Sequence, residues 1–301
     1  MDKKKFKQNE LGVSKDTSLH DTHRLIPKKD GGDYVKGNVI VTTPIVHMAT
    51  HKTLREREAD LEELKSLVDY RNQVMKTVVG IRNRMLAVKR RTDYMDQFLV
   101  DFLKESLTPY EDKLKEKDKK IKSHLDSMDL PIISILKNID GVGPITIANL
   151  INYIDISKAQ YASSLWAYVG YDKPSYERYT KNVASGGNKT LRTALFNTAS
   201  SFLRGQTVYS EIYNNAKAKY KASEKMTKSR NTQGKLIECK WKETKDCHKH
   251  GAAMRKMMKH FLADLWYVWR TVEGFDVPPL YVESKLGHKG IIKPQERGWV
   301  F

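Results

Sequence analysis

Cysteine is almost absent from this sequence. Only Cys239 and Cys247 occur among 301 residues, too few for a disulfide framework, and this scarcity is typical of proteins from a reducing compartment. Long apolar runs are also missing, so we expect no membrane-spanning segment. The basic start, MDKKKFKQNE, has no apolar core and is not a secretory signal. We therefore expect a soluble, cytoplasmic protein.

Acidic residues are too few to balance the basic ones. The sequence has 36 Asp and Glu against 54 Lys and Arg, which gives a formal net charge of +18. Such an excess favours a polyanionic partner, and nucleic acid is the usual one. We expect DNA, with RNA or a guide nucleic acid as the alternative, and the length indicates two or three domains.

Histidine, aspartate and asparagine are concentrated between residues 20 and 51. Asp21 and His23 lie two apart in a predicted strand, so they share a face of it. His47 and His51 lie four apart in a predicted helix and share a face there. With Asn38 at the start of a second strand, a strand–turn–strand–helix arrangement can bring these residues together. The pattern therefore predicts a divalent-metal site with a histidine base.

This segment resembles an HNH endonuclease, which has the ββα-metal fold. The resemblance implies that His23 deprotonates water, that Asn38 orients it, and that Asp21, His47 and His51 hold a divalent metal, with Mg²⁺ favoured over Mn²⁺ or Zn²⁺. Because Arg24 stands where many relatives have the base, His23 is either the base or itself a ligand. The matching residues are His23, Arg24, Ile26, Pro27, Gly31, Gly32, Tyr34, Asn38, Val39, Pro44, His47 and His51.

Residues 56–129 have the apolar spacing of long helices. Leu54, Leu61, Val68 and Met75 recur every seventh residue, with Leu64, Val78 and Met85 in a second seam. Pro109 is predicted to separate this helix from a second one that carries Leu114, Ile121 and Met128. The pattern predicts either a helical hairpin or a coiled coil that forms a homodimer.

Residues 130–301 read as a helical domain that contains a helix-hairpin-helix. Gly141-Val142-Gly143-Pro144 separates two apolar helical segments, and glycines there permit a tight turn. Backbone N–H groups at the start of the next helix can hold a DNA phosphate, so Gly141 and Gly143 are predicted DNA-binding positions. An ordinary helix–helix turn is the alternative.

The motifs that follow, AYVGYDKPS and GNKTLRTAL, complete a resemblance to the C-terminal domain of the serine-bearing insertion-sequence transposases (the IS-one-ten group). The resemblance spans about residues 130–288 and implies DNA binding, to which Lys189 and Arg192 are predicted to contribute. A catalytic serine would be Ser175 or Ser185, although neither matches the family's spacing well. No acidic RNase-H-like domain precedes it.

Two further segments complete the sequence. The lysine-rich residues 217–249 are predicted to be a long mobile loop, with ordering on nucleic acid as an alternative. Its Cys239, Cys247, His248 and His250 lack the short paired spacing of zinc sites. Beyond it, an amphipathic helix is expected from Gly251 to Val272, with an apolar core stripe formed by Met254, Met257, Met258, Phe261, Leu265, Val268 and Trp269. The C-terminal tail is expected to pack over the domain without regular secondary structure.

Together these patterns predict a mainly α, multi-domain protein. It would comprise a basic arm (1–19), an HNH-like module (20–55), a helical linker (56–129) and a transposase-like helix-hairpin-helix domain (130–301). The function they favour is metal-dependent endonuclease cleavage of DNA by the HNH-like module, with the C-terminal domain binding DNA. The alternatives are a serine transposase or recombinase and a non-catalytic DNA-binding protein.

Overall fold

The protein is mainly helical in the part of the chain that the structure, a computed structural model, describes. The prediction of a mainly α protein is thereby confirmed. The chain divides into two compact units, Met1–Glu63 and Leu64–Phe301. The described residues are 21–24, 39–42, 44–90, 97–173, 186–231, 233–279 and 292–301.

Long helices dominate, and two short strand pairs interrupt them. The helices are α1 Pro44–Lys89, α2 Gln97–Ser127, α3 Pro131–Lys137, α4 Pro144–Tyr153, α5 Ala162–Val169, α6 Lys189–Gly205, α7 Val208–Ala222 and α8 Asp246–Val272. The strands are β1 Asp21–Arg24, β2 Val39–Thr42, β3 Met226–Arg230 and β4 Leu236–Lys240. Single 3₁₀ turns span Trp241–Glu243 and Pro294–Arg297.

The described residues of the first unit include an antiparallel strand pair. In β1 and β2, Asp21 lies opposite Thr42 and Arg24 lies opposite Val39. Helix α1 then begins at Pro44, a residue suited to the first helical position because its φ is fixed and it has no N–H to satisfy. The backbone therefore runs strand, strand, helix.

Helices α1 and α2 pack against each other in the second unit. Val74 and Val78 of α1 form a buried cluster with Leu107 and Leu114 of α2. Two ion pairs lie beside the cluster, Arg71–Asp118 at 2.9 Å and Arg82–Glu111 at 2.6 Å. Of the two arrangements that the seven-residue spacing allows, the described residues form the hairpin within one chain.

The predicted helix break at Pro109 is wrong. Helix α2 continues through this residue from Gln97 to Ser127, and α1 ends at Lys89. A proline inside a helix removes one backbone hydrogen bond and strains the preceding turn. Burial of Leu107 and Leu114 on either side of Pro109 offsets that cost.

Helix α8 is the centre of the C-terminal domain. All seven residues of the predicted apolar stripe are buried, which confirms the amphipathic helix. Phe261 of α8 packs its ring against Phe202 of α6 and Tyr209 of α7 at centroid distances of 5.4 and 5.6 Å. Trp266 of α8 donates its indole N–H to the Ala159 carbonyl at 2.7 Å. This hydrogen bond holds the loop before α5 against α8.

The expectation of a long mobile loop at residues 217–249 is wrong. This segment contains the end of α7, the antiparallel β3–β4 pair and the start of α8. Tyr220 and Trp241 stack at 4.3 Å, and Glu224 pairs with Lys240 and Lys242 at 2.8 and 2.5 Å. These contacts join distant parts of the segment, and its lysine-rich composition concealed them.

The C-terminal tail contributes side chains to the core and does not only pack over its surface. Trp299 is only 1% exposed and donates its indole N–H to the Tyr209 hydroxyl at 2.7 Å. Arg297 forms a two-pronged ion pair with the buried Asp264, with N–O distances of 2.5 and 2.6 Å. The tail therefore supplies both an aromatic anchor and the counter-charge of a buried carboxylate.

Candidate nucleic-acid interface

The predicted glycine turn joins α3 to α4. Gly141 has a φ of +86°, in the left-handed region that favours glycine. A Cβ there would lie 2.7 Å from Cδ1 of Phe202, so the turn also approaches α6 too closely for any side chain. Val142 is buried, and its N–H donates to the Ile139 carbonyl at 3.0 Å. The glycine therefore allows both the bend and the close packing of the turn on α6.

The N-terminus of α4 is exposed and has no side-chain cap. Gly143 is the N-cap and has no side chain that could accept a hydrogen bond, and Pro144 has no N–H to donate. The N–H groups of Ile145 and Thr146 therefore carry the partial positive charge of this helix end. Because Gly143 is exposed, a ligand can approach the backbone closely.

A groove of about 380 Å³ separates this helix end from α6. Thr146 on one wall faces Thr198 on the other, with their hydroxyl oxygens 3.0 Å apart. Because Thr198 donates its hydroxyl hydrogen to the Ala194 carbonyl, Thr146 donates to Thr198. The groove is lined by Gly141, Gly143, Pro144, Ile145, Thr146, Asn197, Thr198, Ser200, Ser201 and Arg204.

Arg204 supplies the groove's positive side chain. It lies in the last turn of α6, is exposed, and donates from Nη2 to Ser201 Oγ at 3.1 Å. A guanidinium group and an uncapped helix N-terminus both favour negative charge. The groove can therefore accept an anion such as a phosphate group of a nucleic-acid backbone.

The four predicted DNA-binding residues do not lie at one place. Gly141 and Gly143 line the groove, whereas Lys189 and Arg192 are at the opposite end of α6 from Arg204. Lys189 and Arg204 are fifteen positions apart in the helix, a distance of about 22 Å along the axis. Lys189 is exposed, and the half-buried Arg192 donates to the Gly186 carbonyl at 3.3 Å.

The structure brings the AYVGY and GNKTLR motifs together. Gly170 ends α5 with a φ of +77°, and a Cβ on Gly187 would lie 2.6 Å from the Gly170 nitrogen. The Asn188 N–H donates to the Tyr168 carbonyl at 2.7 Å. The Asn188 side chain also caps α6 by accepting from Leu191 at 2.9 Å. These glycines and this asparagine therefore have structural roles.

The serine candidates lie, in sequence, between these two motifs. Ser175 and Ser185 belong to residues 174–185, which lie outside the described residues, so their placement stays a prediction. The chain on either side is described, because Lys173 precedes this segment and Gly186 follows it.

The HNH-like residues are placed only by their backbone. Asp21 and His23 belong to β1, and His47 and His51 belong to α1. Their side chains, and all of Asn38, lie outside the part of the chain that the structure describes. Within the part it does describe, no group of three or more His, Cys, Asp or Glu side chains could hold a metal ion.

Structural contacts account for the histidines near Cys239 and Cys247. Both cysteines are free, the His248 ring lies 5.2 Å from the Trp241 ring, and His250 Nδ1 lies 2.7 Å from the Tyr213 hydroxyl.

Sequence reasoning missed Arg204, Thr198 and Ser201. Their only local signal is that Ser201 and Arg204 are three apart at the end of a helix. Their proximity to the glycine turn depends on the contact between Gly141 and Phe202, residues that are far apart in sequence. No local pattern reports such a contact.

A groove of this kind, in a helical domain of a strongly basic chain, defines a candidate nucleic-acid-binding domain. Residues 133–214 match the family model described as "Transposase IS116/IS110/IS902 family". The match runs from within α3 to the middle of α7, includes the groove, and confirms the transposase-like character of this region. It does not reach residues 20–55, so it does not bear on the HNH resemblance. No curated protein sequence matches the chain significantly.

No helix in the described ranges is both long enough and apolar enough to cross a membrane.

Proposed function

We propose that this chain is a transposase-like protein of DNA recombination whose C-terminal domain binds the DNA backbone. The observation that carries the proposal is the groove at the α3–α4 turn, which lies inside the region that matches the transposase family. The net charge of +18 supports a polyanionic partner. Mobile genetic elements are where such a protein would act.

The groove would bind DNA without reading its sequence. One phosphate would accept hydrogen bonds from the first N–H groups of α4 and from the Arg204 guanidinium. Such contacts position a protein on the duplex, whereas sequence is read from the base edges. Any choice of target site would then come from another part of the protein or from a partner nucleic acid.

DNA binding by the Arg204→Ala variant tests this proposal. Loss of one charge-assisted phosphate contact should weaken duplex binding roughly ten-fold, measured by fluorescence anisotropy. Lys122→Ala, an exposed change on α2, is the matched control and should leave the affinity unchanged. Equal affinities for wild type and Arg204→Ala would refute the role of the groove.

The family match favours chemistry at a serine. In that reaction the Oγ of Ser175 or Ser185 would bond to phosphorus, and the DNA strand would break as a sugar oxygen leaves with a proton. The product is a covalent protein–DNA phosphoester. If this chemistry is correct, alanine at the reacting serine will abolish the covalent product, and a labelled DNA strand will no longer migrate with the denatured protein.

HNH-type hydrolysis is the second candidate. The observation that favours it is the strand–strand–helix order of β1, β2 and α1. A carboxylate with two imidazoles is a donor set that suits a divalent metal, and Asp21, His47 and His51 would hold it. The metal would stabilise the leaving phosphate oxygen. His23, oriented by Asn38, would take the proton from water unless it is itself a ligand.

A cleavage assay separates these two chemistries. Supercoiled plasmid and branched DNA would be incubated with wild type, His23→Ala and His47→Ala, in Mg²⁺, Mn²⁺ or chelator. Metal-dependent nicking that is lost in both variants would support the HNH candidate. Nicking that survives both and is lost with a serine would support the transposase chemistry. Binding without cleavage would make this a non-catalytic DNA-binding protein.

A further inference from the structure

We propose that the β3–β4 strand pair, residues 226–240, is a second DNA-binding element that enters the major groove of duplex DNA. We refer to residues 226–240 as the basic ribbon. It lies outside the residues that match the transposase family, and the proposal rests on the proposed function in requiring that the chain binds DNA. The proposal gives a binding partner, duplex DNA, to a segment that was predicted from the sequence to be a mobile loop.

The ribbon lies in the most basic part of the described C-terminal domain. Residues 217–249 contain eleven Lys and Arg against four Asp and Glu. Side chains alternate between the two faces of a strand, so Lys228 and Arg230 share one face of β3. Glu238 and Leu236 lie opposite them, and the same face also carries the pair Met226 and Lys240.

The two faces of the ribbon differ in charge and exposure. The face with Lys228 and Arg230 is exposed on β3. The other face carries the uncharged Thr227, Ser229, Ile237 and Cys239, and Ser229 is only 7% exposed. On β3 the uncharged face is therefore the more protected one, and Lys228 and Arg230 are presented to solvent. On β4, Leu236 and Ile237 lie on opposite faces and are both 39% exposed.

The ion pairs that these cations already make are weak. Lys228 lies 3.6 Å from Glu238, and Lys240 lies 2.8 Å from Glu224, with every one of these side chains more than 40% exposed. Ion pairs in such exposed positions contribute little to the stability of the fold, because water screens them. A DNA phosphate can therefore replace the carboxylates without a large loss.

The base of the ribbon is fixed to α7. The Trp241 ring stacks on Tyr220 at 4.3 Å, and the Trp241 and Lys242 N–H groups donate to the Lys225 and Ser223 carbonyls at 3.0 and 3.1 Å. These contacts extend the strand pairing as far as α7. The direction in which the ribbon projects is therefore set before any ligand binds.

Hydrogen bonds also hold the described residues at the tip of the ribbon. The Asn231 side chain accepts from the N–H groups of Gln233 and Lys235 at 3.0 and 2.9 Å, and Gly234 adopts a φ of +78°. Arg230 donates to the Gly234 carbonyl at 2.9 Å. A preformed tip binds with a small ordering cost.

The dimensions of the ribbon favour duplex DNA over duplex RNA. Five residues of strand extend about 17 Å. The major groove of B-form DNA is about 12 Å wide and admits a two-stranded ribbon. The major groove of A-form RNA is too narrow for this. Lys228 would face a phosphate along the groove, and Arg230 and Lys235 would lie near the tip.

The test compares two triple variants by fluorescence anisotropy on a labelled 30-base-pair duplex, across a series of salt concentrations. One variant carries Lys228→Ala, Arg230→Ala and Lys235→Ala. The control carries Lys104→Ala, Lys113→Ala and Lys119→Ala, which removes the same charge from exposed positions of α2. Circular dichroism and the thermal midpoint verify that both variants fold.

A plot of log affinity against log salt concentration has a negative slope, to which each phosphate contact contributes about 0.9. The slope of the ribbon variant should therefore be less steep than that of wild type by about 2.7. The control should keep the wild-type slope. Equal losses in both variants would show only a general charge effect and overturn the inference. An unchanged slope in the ribbon variant would overturn it too, while leaving the proposed function intact.

Two other results bear on the inference. If wild-type protein fails to bind duplex DNA at all, the proposed function fails and the inference fails with it. If the ribbon variant loses affinity for duplex RNA or single-stranded DNA as strongly as for duplex DNA, insertion into a major groove is wrong. Loss confined to duplex DNA supports the proposal.

Discussion

Two carboxylates in the C-terminal domain pair with cations in opposite settings. Asp264 in α8 and its partner Arg297 have side chains 3% and 8% exposed. Glu224, which follows α7, pairs with Lys240 and Lys242, and all three side chains are more than 40% exposed. The distances are similar, yet a buried charge without its partner is costly and an exposed one is not. The first pair holds the tail in place, and the second leaves the ribbon's cations available to DNA.

The largest effect should come from breaking the buried pair. Arg297→Ala leaves the Asp264 carboxylate in the core without its counter-charge, so we expect the free energy of unfolding to fall by about 3–5 kcal/mol. Urea denaturation measures it. The double variant Asp264→Leu with Arg297→Met should recover most of the loss, and a single variant as stable as wild type would contradict the role assigned to the pair.

The glycine turn should be the next most sensitive point. Gly141→Ala places a Cβ 2.7 Å from Phe202 Cδ1 at a φ of +86°, so we expect a loss of about 2–4 kcal/mol in urea denaturation. Gly143→Ala is the matched control, since no heavy atom among the described residues lies within 4 Å of its added Cβ and its φ is −87°. Similar losses in the two variants would show that the turn is not specially constrained.

A half-buried histidine should make stability depend on pH. Burial, together with the nearby Arg297 and Lys256, lowers the pKa of His260 to about 4. The unfolded chain has the ordinary pKa of about 6.5 and takes up a proton first, so stability falls as the pH decreases from 6.5 to 4. The contribution of His260 is at most about 3 kcal/mol. Unfolding at several pH values should show a smaller decrease in His260→Gln, and identical profiles would contradict this origin.

The smallest effect should come from the exposed pair. Glu224→Gln removes a carboxylate that solvent already screens, so the thermal midpoint should stay within experimental error of wild type. The same change should slightly strengthen DNA binding, because Lys240 and Lys242 lose a competing partner. Calorimetry and anisotropy on the one variant check both expectations, and a clear drop in the thermal midpoint would show that the pair stabilises the fold.

Local patterns predicted the long helices well. The apolar spacing of α1, α2 and α8 is a property of neighbouring residues, and the residues it selected in α8 are buried. Pro109 misled the prediction, because the tendency of proline to break a helix is outweighed here by the burial of Leu107 and Leu114. The ribbon was missed because the lysines between Met226 and Lys240 obscured a short strand pattern. Its stability comes from a stack between residues of α7 and the 3₁₀ turn.

The candidate interface was predicted in part. Gly141 and Gly143 were found because a tight helix–helix turn needs glycine locally, and the structure places both in the groove. Arg204 could not be found, since it reaches the groove only through packing of α6 on the turn. Lys189 and Arg192 share α6 with Arg204 but lie at its other end. The roles of Asp21, His23, Asn38, His47, His51, Ser175 and Ser185 stay predictions.

The central claim is that this domain binds DNA through two separate basic elements. The most direct measurement is the salt dependence of duplex binding for wild type, Arg204→Ala, the ribbon triple variant and their combination. The account predicts that the slope of log affinity against log salt becomes less steep by about 0.9 for the groove variant and by about 2.7 for the ribbon variant. For the combined variant it should become less steep by about 3.6, because independent contacts add. A combined variant that loses no more than one element alone, or a wild-type slope near zero, would contradict the account.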